Sequence, residues 1–152
     1  MMFVRLALEE DVEEIVGMAR ENNESTCAHE YHLFDPDRVR ATFFRYIDTA
    51  ESTFFVVEDK RKVIGFLQAY MFAYDHRPGL YTTQKVLYVK PEHRGSRGAV
   101  LLMKELIAWT RRVGGDRIEG GNDNSFNSER TAKFLGHFGF KQVGYAMRLE
   151  LD

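Results

Sequence analysis

The stretch Val86-Leu87-Tyr88-Val89-Lys90-Pro91-Glu92-His93-Arg94-Gly95-Ser96-Arg97-Gly98-Ala99 carries the residue types in this sequence best suited to holding an anion. An apolar, β-branched run enters a polar loop, and the loop opens directly into a run with helical periodicity. The first amides of a helix have no intrahelical acceptor and lie at the positive end of its dipole, so a loop of this kind attracts phosphate-like groups. Gly95 and Gly98 let the backbone approach such a group closely and adopt positive φ. Arg94 and Arg97 add two guanidiniums. Neither GxxxxGK[ST] nor GxGxxG is present, which excludes a P-loop and a dinucleotide fingerprint. On spacing alone, a basic, flexible helix start reads the same way.

Other chemistry is sparse. Cys27 is the one cysteine, so an internal disulfide framework and a Cys-based zinc cluster are excluded, and a reducing compartment is expected. His29-Glu30-x-His32 sets two imidazoles at i, i+3, but the zincin pattern is His-Glu-x-x-His and spacing suggests no third ligand, so no metal site is read. With 21 Lys and Arg against 23 Asp and Glu, the net charge of −2 leaves no global positive field for a nucleic-acid backbone. No apolar run approaches the roughly 18 residues needed to span a bilayer. The start, Met-Met-Phe-Val-Arg-Leu-Ala-Leu, is too short and too soon acidic for a signal peptide. No nucleic-acid or membrane partner is expected, and the expected location is cytoplasmic.

The elements that must position the loop follow from periodicity. The 152 residues, 44% apolar and 29% charged, fit a single globular domain, 1–152. Residues 2–6 read as a strand. Leu8, Val12, Ile15 and Ala19 recur at helical spacing up to Glu21, and residues 22–34 read as a loop. Asp35-Pro36 starts a second helix that buries Val39, Phe43, Tyr46 and Ile47. Thr53–Glu58 and Lys62–Phe72 form a hairpin about Asp59-Lys60-Arg61, and Thr82–Val89 is a fourth strand. A helix from Gly98 to Val113 presents Leu102, Leu106, Trp109 and Val113 on one face and ends at Gly114-Gly115. Asp116–Glu119 reads as a fifth strand and Asn127–Phe138 as a helix closed by Gly139, with Phe140 beside it. The alternation of Val143, Tyr145, Met147, Leu149 and Leu151 with polar or small residues reads as a final strand. The order β-α-α-β-β-β-α-β-α-β implies an α/β (α+β) sandwich around one sheet.

The strand–Pro-Glu-His-Arg-Gly-Ser-Arg-Gly-Ala–helix unit resembles the acyl-CoA-binding motif of the GNAT superfamily of N-acetyltransferases, commonly Arg/Gln-x-x-Gly-x-Gly/Ala. Arg94 and Ala99 match its ends, whereas Arg97 stands where a glycine is usual and Gly98 follows one residue later. The segment Ser128–Phe140 keeps the spacing of a second family motif, Asn-x-x-Ala-x-x-x-Tyr-x-x-x-Gly-Phe, through Gly139-Phe140. The element order matches over essentially the whole chain. The resemblance implies a GNAT-like fold with a mixed, mostly antiparallel sheet, splayed fourth and fifth strands and flanking helices. It implies acetyl-CoA as acyl donor. Backbone groups of Leu87 and Val89 would take the pantetheine arm, and Arg94 with the amides of Gly95, Ser96, Arg97, Gly98 and Ala99 would cradle the pyrophosphate. Asn127 and Ser128 would also contact the cofactor.

The implied reaction is direct attack of an amine on the thioester without an acyl-enzyme, in keeping with a lone thiol far from these motifs. A backbone amide of the fourth strand would polarise the thioester carbonyl. Two departures bear on it. Leu135 stands where the family often has the tyrosine that protonates the leaving thiolate, and Ser128 stands where an asparagine is common. That proton would then come from Ser128, another residue or water. An alkylammonium must lose a proton before it attacks. Glu119 is the nearest carboxylate to the gap by topology, with Asp75 and His76 as further candidates. Glu30, Tyr31 and His32, between the first two helices, would form a wall for a cationic or polar acceptor, either a small amine or a protein amine. A homodimer through sheet edges or the Tyr145–Leu151 run is expected. The alternative is a non-catalytic acyl-CoA-binding or interaction module that keeps the fold.

Overall fold

The computed structural model describes residues 1–49, 51–121 and 127–151. They fall in two compact units, 1–119 and 120–152.

In the first unit five strands, β1 (Met2–Leu6), β2 (Ser52–Asp59), β3 (Lys62–Ala73), β4 (Leu80–Val89) and β5 (Ile118–Glu119), form one sheet in the order β1-β2-β3-β4-β5. The first four are antiparallel neighbours, and β5 joins β4 in parallel. Helices α1 (Val12–Thr26) and α2 (Pro36–Ile47) cover one face; α3 (Gly98–Arg112) covers the other. Both faces are therefore dry over the centre, which is why Ser52–Val57 is buried continuously rather than on alternate residues. Phe54, Val56, Phe66 and Tyr88 meet Ile15, Met18, Phe43 and Tyr46 on the α1/α2 side. On the α3 side the Trp109 indole sits edge-on to Phe55, and Thr82 bonds Thr110 at 2.7 Å.

The local reasons are in the sequence. The Asp35 carboxylate caps α2 by accepting from the Asp37 and Arg38 amides, with Pro36 at the first helical position. Lys60 and Arg61 both hold positive φ (51° and 66°), as a two-residue hairpin loop demands of its central residues. Asp11 accepts from Arg5 at 2.7 and 3.0 Å and from the Leu8 amide at 2.7 Å, fixing the entry to α1. Burial pushes this carboxyl up, but the Arg5 hydrogen bond and the Leu8 amide outweigh it and hold it below the usual aspartate range.

The second unit holds α4 (Ser128–Gly136), whose buried residue is Leu135. Gly139, at φ 96°, and Phe140, whose amide bonds the Leu135 carbonyl at 3.3 Å, close it as expected.

Two expectations are corrected. The loop read over 22–34 is helical to Thr26, and Ala28–Leu33 is a 3-10 turn. The Ser25 and Thr26 hydroxyls bond back to the Asn22 carbonyl, so polar side chains finish a helix that apolar periodicity does not mark. The final strand is also absent among the described residues. Residues 141–151 have no ladder partner among the described residues, and Val143, Tyr145, Met147, Leu149 and Leu151 are 81–96% exposed. Alternation marks a chain able to be a strand; the strand itself requires a neighbour to take its backbone groups.

Candidate active site

Strand β4 is the element on which the site is built. Its pairing with β5 runs through Thr82–Ile118 and Thr83–Glu119 and no further. Immediately beyond, Ala69 pairs with Gln84 but Gln68 pairs with Val86, so Lys85 is an extra residue in β4. A bulge bends its strand and raises the twist, and here it lies where β4 parts from β5. From Val86 to Val89, β4 pairs with β3 alone among the described residues.

Backbone direction beyond the bulge is fixed by one hydrogen bond. The Lys90 amide donates to Ile64 O at 2.8 Å, so Val86 and Tyr88 also turn their backbone groups to β3. Leu87 and Val89 turn theirs to the opened side. Arg94 Nε donates to the Val89 carbonyl at 3.1 Å, and the guanidinium lies over the Tyr88 ring at 5.4 Å. Of this pair, Leu87 thus offers both backbone groups and Val89 its N–H. The Tyr88 hydroxyl donates to Glu21 of α1 at 2.8 Å; burial, then this carboxylate neighbour, pushes the phenol up to about 12. Tyr88 therefore anchors the half of β4 whose other edge is open.

The loop that follows is a chain of short turns, with the amides of His93, Arg94 and Ser96 donating to Lys90, Pro91 and His93 carbonyls. Gly95 takes φ 88° with open space where a Cβ would stand, so backbone conformation is what requires glycine there. Gly98 differs. A Cβ there would meet Ser96 Oγ, Ile64 Cδ1 and Val57 Cγ1 at 3.5–3.7 Å, so its bare side faces the sheet, with room for a methyl but for little more. The Gly98 amide leans on Ser96 Oγ at 3.3 Å, and the first amide bonded within α3 is that of Leu101, to Arg97 O. Beyond this Ser96 contact no described side chain caps the terminus, and no acid lies in the first turn. The amides of Ala99 and Val100 and the exposed Arg97 side chain thus form a positive end beside the opened edge of β4. An acyl-CoA pyrophosphate and pantetheine arm fit these groups.

Glu119 ends β5, exposed, in register with Thr83. Thr82 turns to α3, where it bonds Thr110, so Thr83 and Glu119 turn to the α1/α2 face. The Thr83 hydroxyl is buried there and has no hydrogen-bond partner among the described residues. Asp75 and His76 lie in the bend between β3 and β4, where the His76 ring meets Tyr74 edge-on. Asp116 accepts from the Tyr74 hydroxyl at 2.7 Å and from Arg77 at 3.1 Å; these partners hold its carboxyl below the usual range. They tie the β3–β4 bend to the start of β5. Glu30, Tyr31 and His32 fall in the 3-10 turn beside α1, with Tyr31 half-buried and His32 exposed; the side chain of His29 lies outside the described residues.

In the second unit Asn127 is the N-cap of α4, in the left-handed region at φ 52°, and Ser128 is the helix's first residue. Leu135, buried in this helix, has no proton to give.

Sequence reasoning missed Thr83 and the aromatic side chains that share its face. Tyr70 is the register partner of Thr83, and Phe72 the partner of Tyr81. The signal was the Tyr70/Phe72 pair at i, i+2 with Tyr81 across the turn, but without the register it carries no position.

Comparison with known proteins agrees with this geometry. Residues 50–142 match the family model described as Acetyltransferase (GNAT) domain. A search of curated proteins found no match. A transcriptional regulator from Bacillus halodurans C-125 is similar in structure at TM-score 0.84 and 18% identity, covering 99% of this chain and 100% of that one. The aminoglycoside acetyltransferase HMB0005, from an uncultured soil metagenomic sample, superposes at TM-score 0.78 and 15% identity over 100% and 99%. AAC(6')-Iy, solved with the bisubstrate analogue CoA-S-monomethyl-acetylneamine, does so at 0.80 and 14% over 100% and 99%. With β4 parted from β5 beside an uncapped helix start, and the family model matched across most of the chain, the protein belongs to the GNAT acetyltransferases.

Proposed function

We infer that this chain transfers the acetyl group of acetyl-CoA directly to an amine acceptor at the parting of β4 and β5. The observation that carries this reading is the opened edge of β4, with Leu87 and Val89 amides facing it, next to the uncapped N-terminus of α3. Acetyl-CoA supplies an activated thioester. The chain's own groups supply the rest: Leu87 and Val89 hold the pantetheine arm as an added strand would be held, and Gly95, Ser96, Arg97 and the first amides of α3 neutralise the pyrophosphate. Arg94, held against Tyr88 and Val89, shapes the loop. Glu119 accepts the proton of the acceptor ammonium. The nitrogen then forms its bond to the carbonyl carbon as the C–S bond breaks, the sulfur leaves as a thiolate, and the second proton shed by the nitrogen passes to that thiolate, leaving the amide and free CoA.

Assignment of Asn127 and Ser128 to the cofactor, and of Ser128 to the proton that the thiolate takes up, rests on the family motif alone. Glu30, Tyr31 and His32 are assigned to the acceptor on the same ground. No described helix is long and apolar enough to cross a membrane, and the lone Cys27 supports a reducing, cytoplasmic setting. The five exposed apolar residues from Val143 to Leu151 support a homodimer, which light scattering coupled to gel filtration checks. The central test is release of CoA from acetyl-CoA with a panel of primary amines. Turnover supports the reading; acetyl-CoA bound without turnover of any amine would leave an acyl-CoA-binding module.

A further inference from the structure

The α1/α2 face of the sheet carries two rows at the parting of β4 and β5. Tyr70, Thr83 and Glu119 lie side by side on β3, β4 and β5, and Phe72 and Tyr81 form the next row. The rows are two residues apart, about 7 Å along a strand. Phe72 and Tyr81 stack at 5.3 Å and 24°, Tyr70 meets Phe72 at 4.4 Å and Tyr74 meets Tyr81 at 5.0 Å, so each ring of the pair already has an aromatic neighbour on either side. This platform is half-buried rather than covered, with Phe72 38% exposed. Charge is graded along it. Glu119 is the carboxylate at the end where the strands part. At the other end the guanidiniums of Arg77 and Arg117 lie over the Tyr74 ring at 3.6 and 5.4 Å, with Asp116 bonded to Arg77 and Tyr74. Lys85 adds a cation near Tyr46.

We propose that the acceptor is an arylalkyl monoamine, its ring lying on Phe72 and Tyr81 and its ammonium reaching Glu119 past the unbonded Thr83 hydroxyl. The inference rests on the acetyl-transfer reading above and names its substrate class. A flat ring set across the edges of this stack gains edge-to-face contact. A short alkyl chain then spans the distance between the rows. A polyamine or aminosugar would bring its second cation against Arg77, Arg117 or Lys85, where like charges repel.

The test compares 2-phenylethylamine, butylamine and spermidine at saturating acetyl-CoA, following CoA release, with calorimetry of acetyl-CoA binding and of 2-phenylethylamine titrated into the CoA-saturated protein. The expected kcat/KM for 2-phenylethylamine exceeds that for either other amine by about tenfold. Phe72→Ala brings the ratio of aryl to alkyl amine close to one and weakens the calorimetric binding of the aryl amine, while Phe72→Tyr retains both. Butylamine or spermidine used as well as the aryl amine, or a ratio unmoved in Phe72→Ala, overturns the acceptor class while acetyl-CoA binding keeps the transferase reading. Absence of acetyl-CoA binding in the wild-type protein overturns both.

Discussion

Thr83 and Glu119 are register partners, and theirs is the last pairing between β4 and β5 before the Lys85 bulge. The strands part because β4 twists away at the extra residue, while β5 ends at Glu119. A carboxylate and an unbonded hydroxyl are thereby set at the edge of the gap, on the face opposite α3.

If Glu119 takes the proton of the acceptor, Glu119→Gln lowers kcat/KM by about 10²–10⁴-fold, the span usual for a positioned base. The Kd for acetyl-CoA is unchanged, since the residue touches no group assigned to the cofactor. Steady-state kinetics alongside calorimetry reads both. An unaltered rate assigns the proton to Asp75, His76 or water.

Arg97→Glu places a carboxylate at the uncapped start of α3. It should weaken acetyl-CoA binding by at least about tenfold through loss of one favourable charge and gain of an unfavourable one. Its melting temperature should move little, because the side chain is exposed and caps nothing. Gly98→Asp behaves differently. Its carboxylate would point toward Ile64 and Val57, so the expected loss is in folding rather than in ligand binding alone. Chemical denaturation of the two variants separates the effects.

Tyr88 gives the fold an alkaline limit. Its phenol is raised from the usual value near 10 to about 12, so the native state keeps a proton that the unfolded chain has lost. The stabilisation is complete below pH 10 and disappears as the pH rises toward 12. Urea unfolding of the wild type should show stability falling across that window, and Tyr88→Phe should show a smaller slope there. At neutral pH the same substitution costs about 1 kcal/mol for the bond to Glu21.

Asp11 sets the acid limit. Its carboxyl is held below the usual range, so its contribution is full above about pH 4 and is lost as the pH falls through the lowered native value. Asp11→Asn, which leaves Arg5 paired with Glu58 alone, is expected to cost about 1–2 kcal/mol at pH 7 and to flatten the acid side of the stability profile. Denaturant titrations at a series of pH values measure this.

Much of this was legible in the sequence because local chemistry and tertiary structure agree. Asp35-Pro36 starts α2, Gly139-Phe140 closes α4, and the loop before Gly98 ends in a helix start. What could not be read depends on long-range register. The Lys85 bulge exists only relative to β3, and the shared face of Tyr70, Thr83 and Glu119 exists only once three strands are paired. Gly98 shows the same limit, since sequence gives a glycine in a loop and only packing tells that its bare side faces Ile64. The run from Val143 to Leu151 shows the converse, with period-two alternation but no strand partner among the described residues.

The central claim is an acyl-CoA site between the opened edge of β4 and the start of α3, and thermal unfolding with acetyl-CoA, CoA and pyrophosphate run side by side tests it most directly. A ligand at about 100 times its Kd adds roughly 2.7 kcal/mol. For a chain of this size that raises Tm by about 5–10 °C. The account predicts such a rise with both CoA species and a smaller one with pyrophosphate, which meets α3 but not Leu87 and Val89. An unchanged Tm at millimolar acetyl-CoA would contradict it.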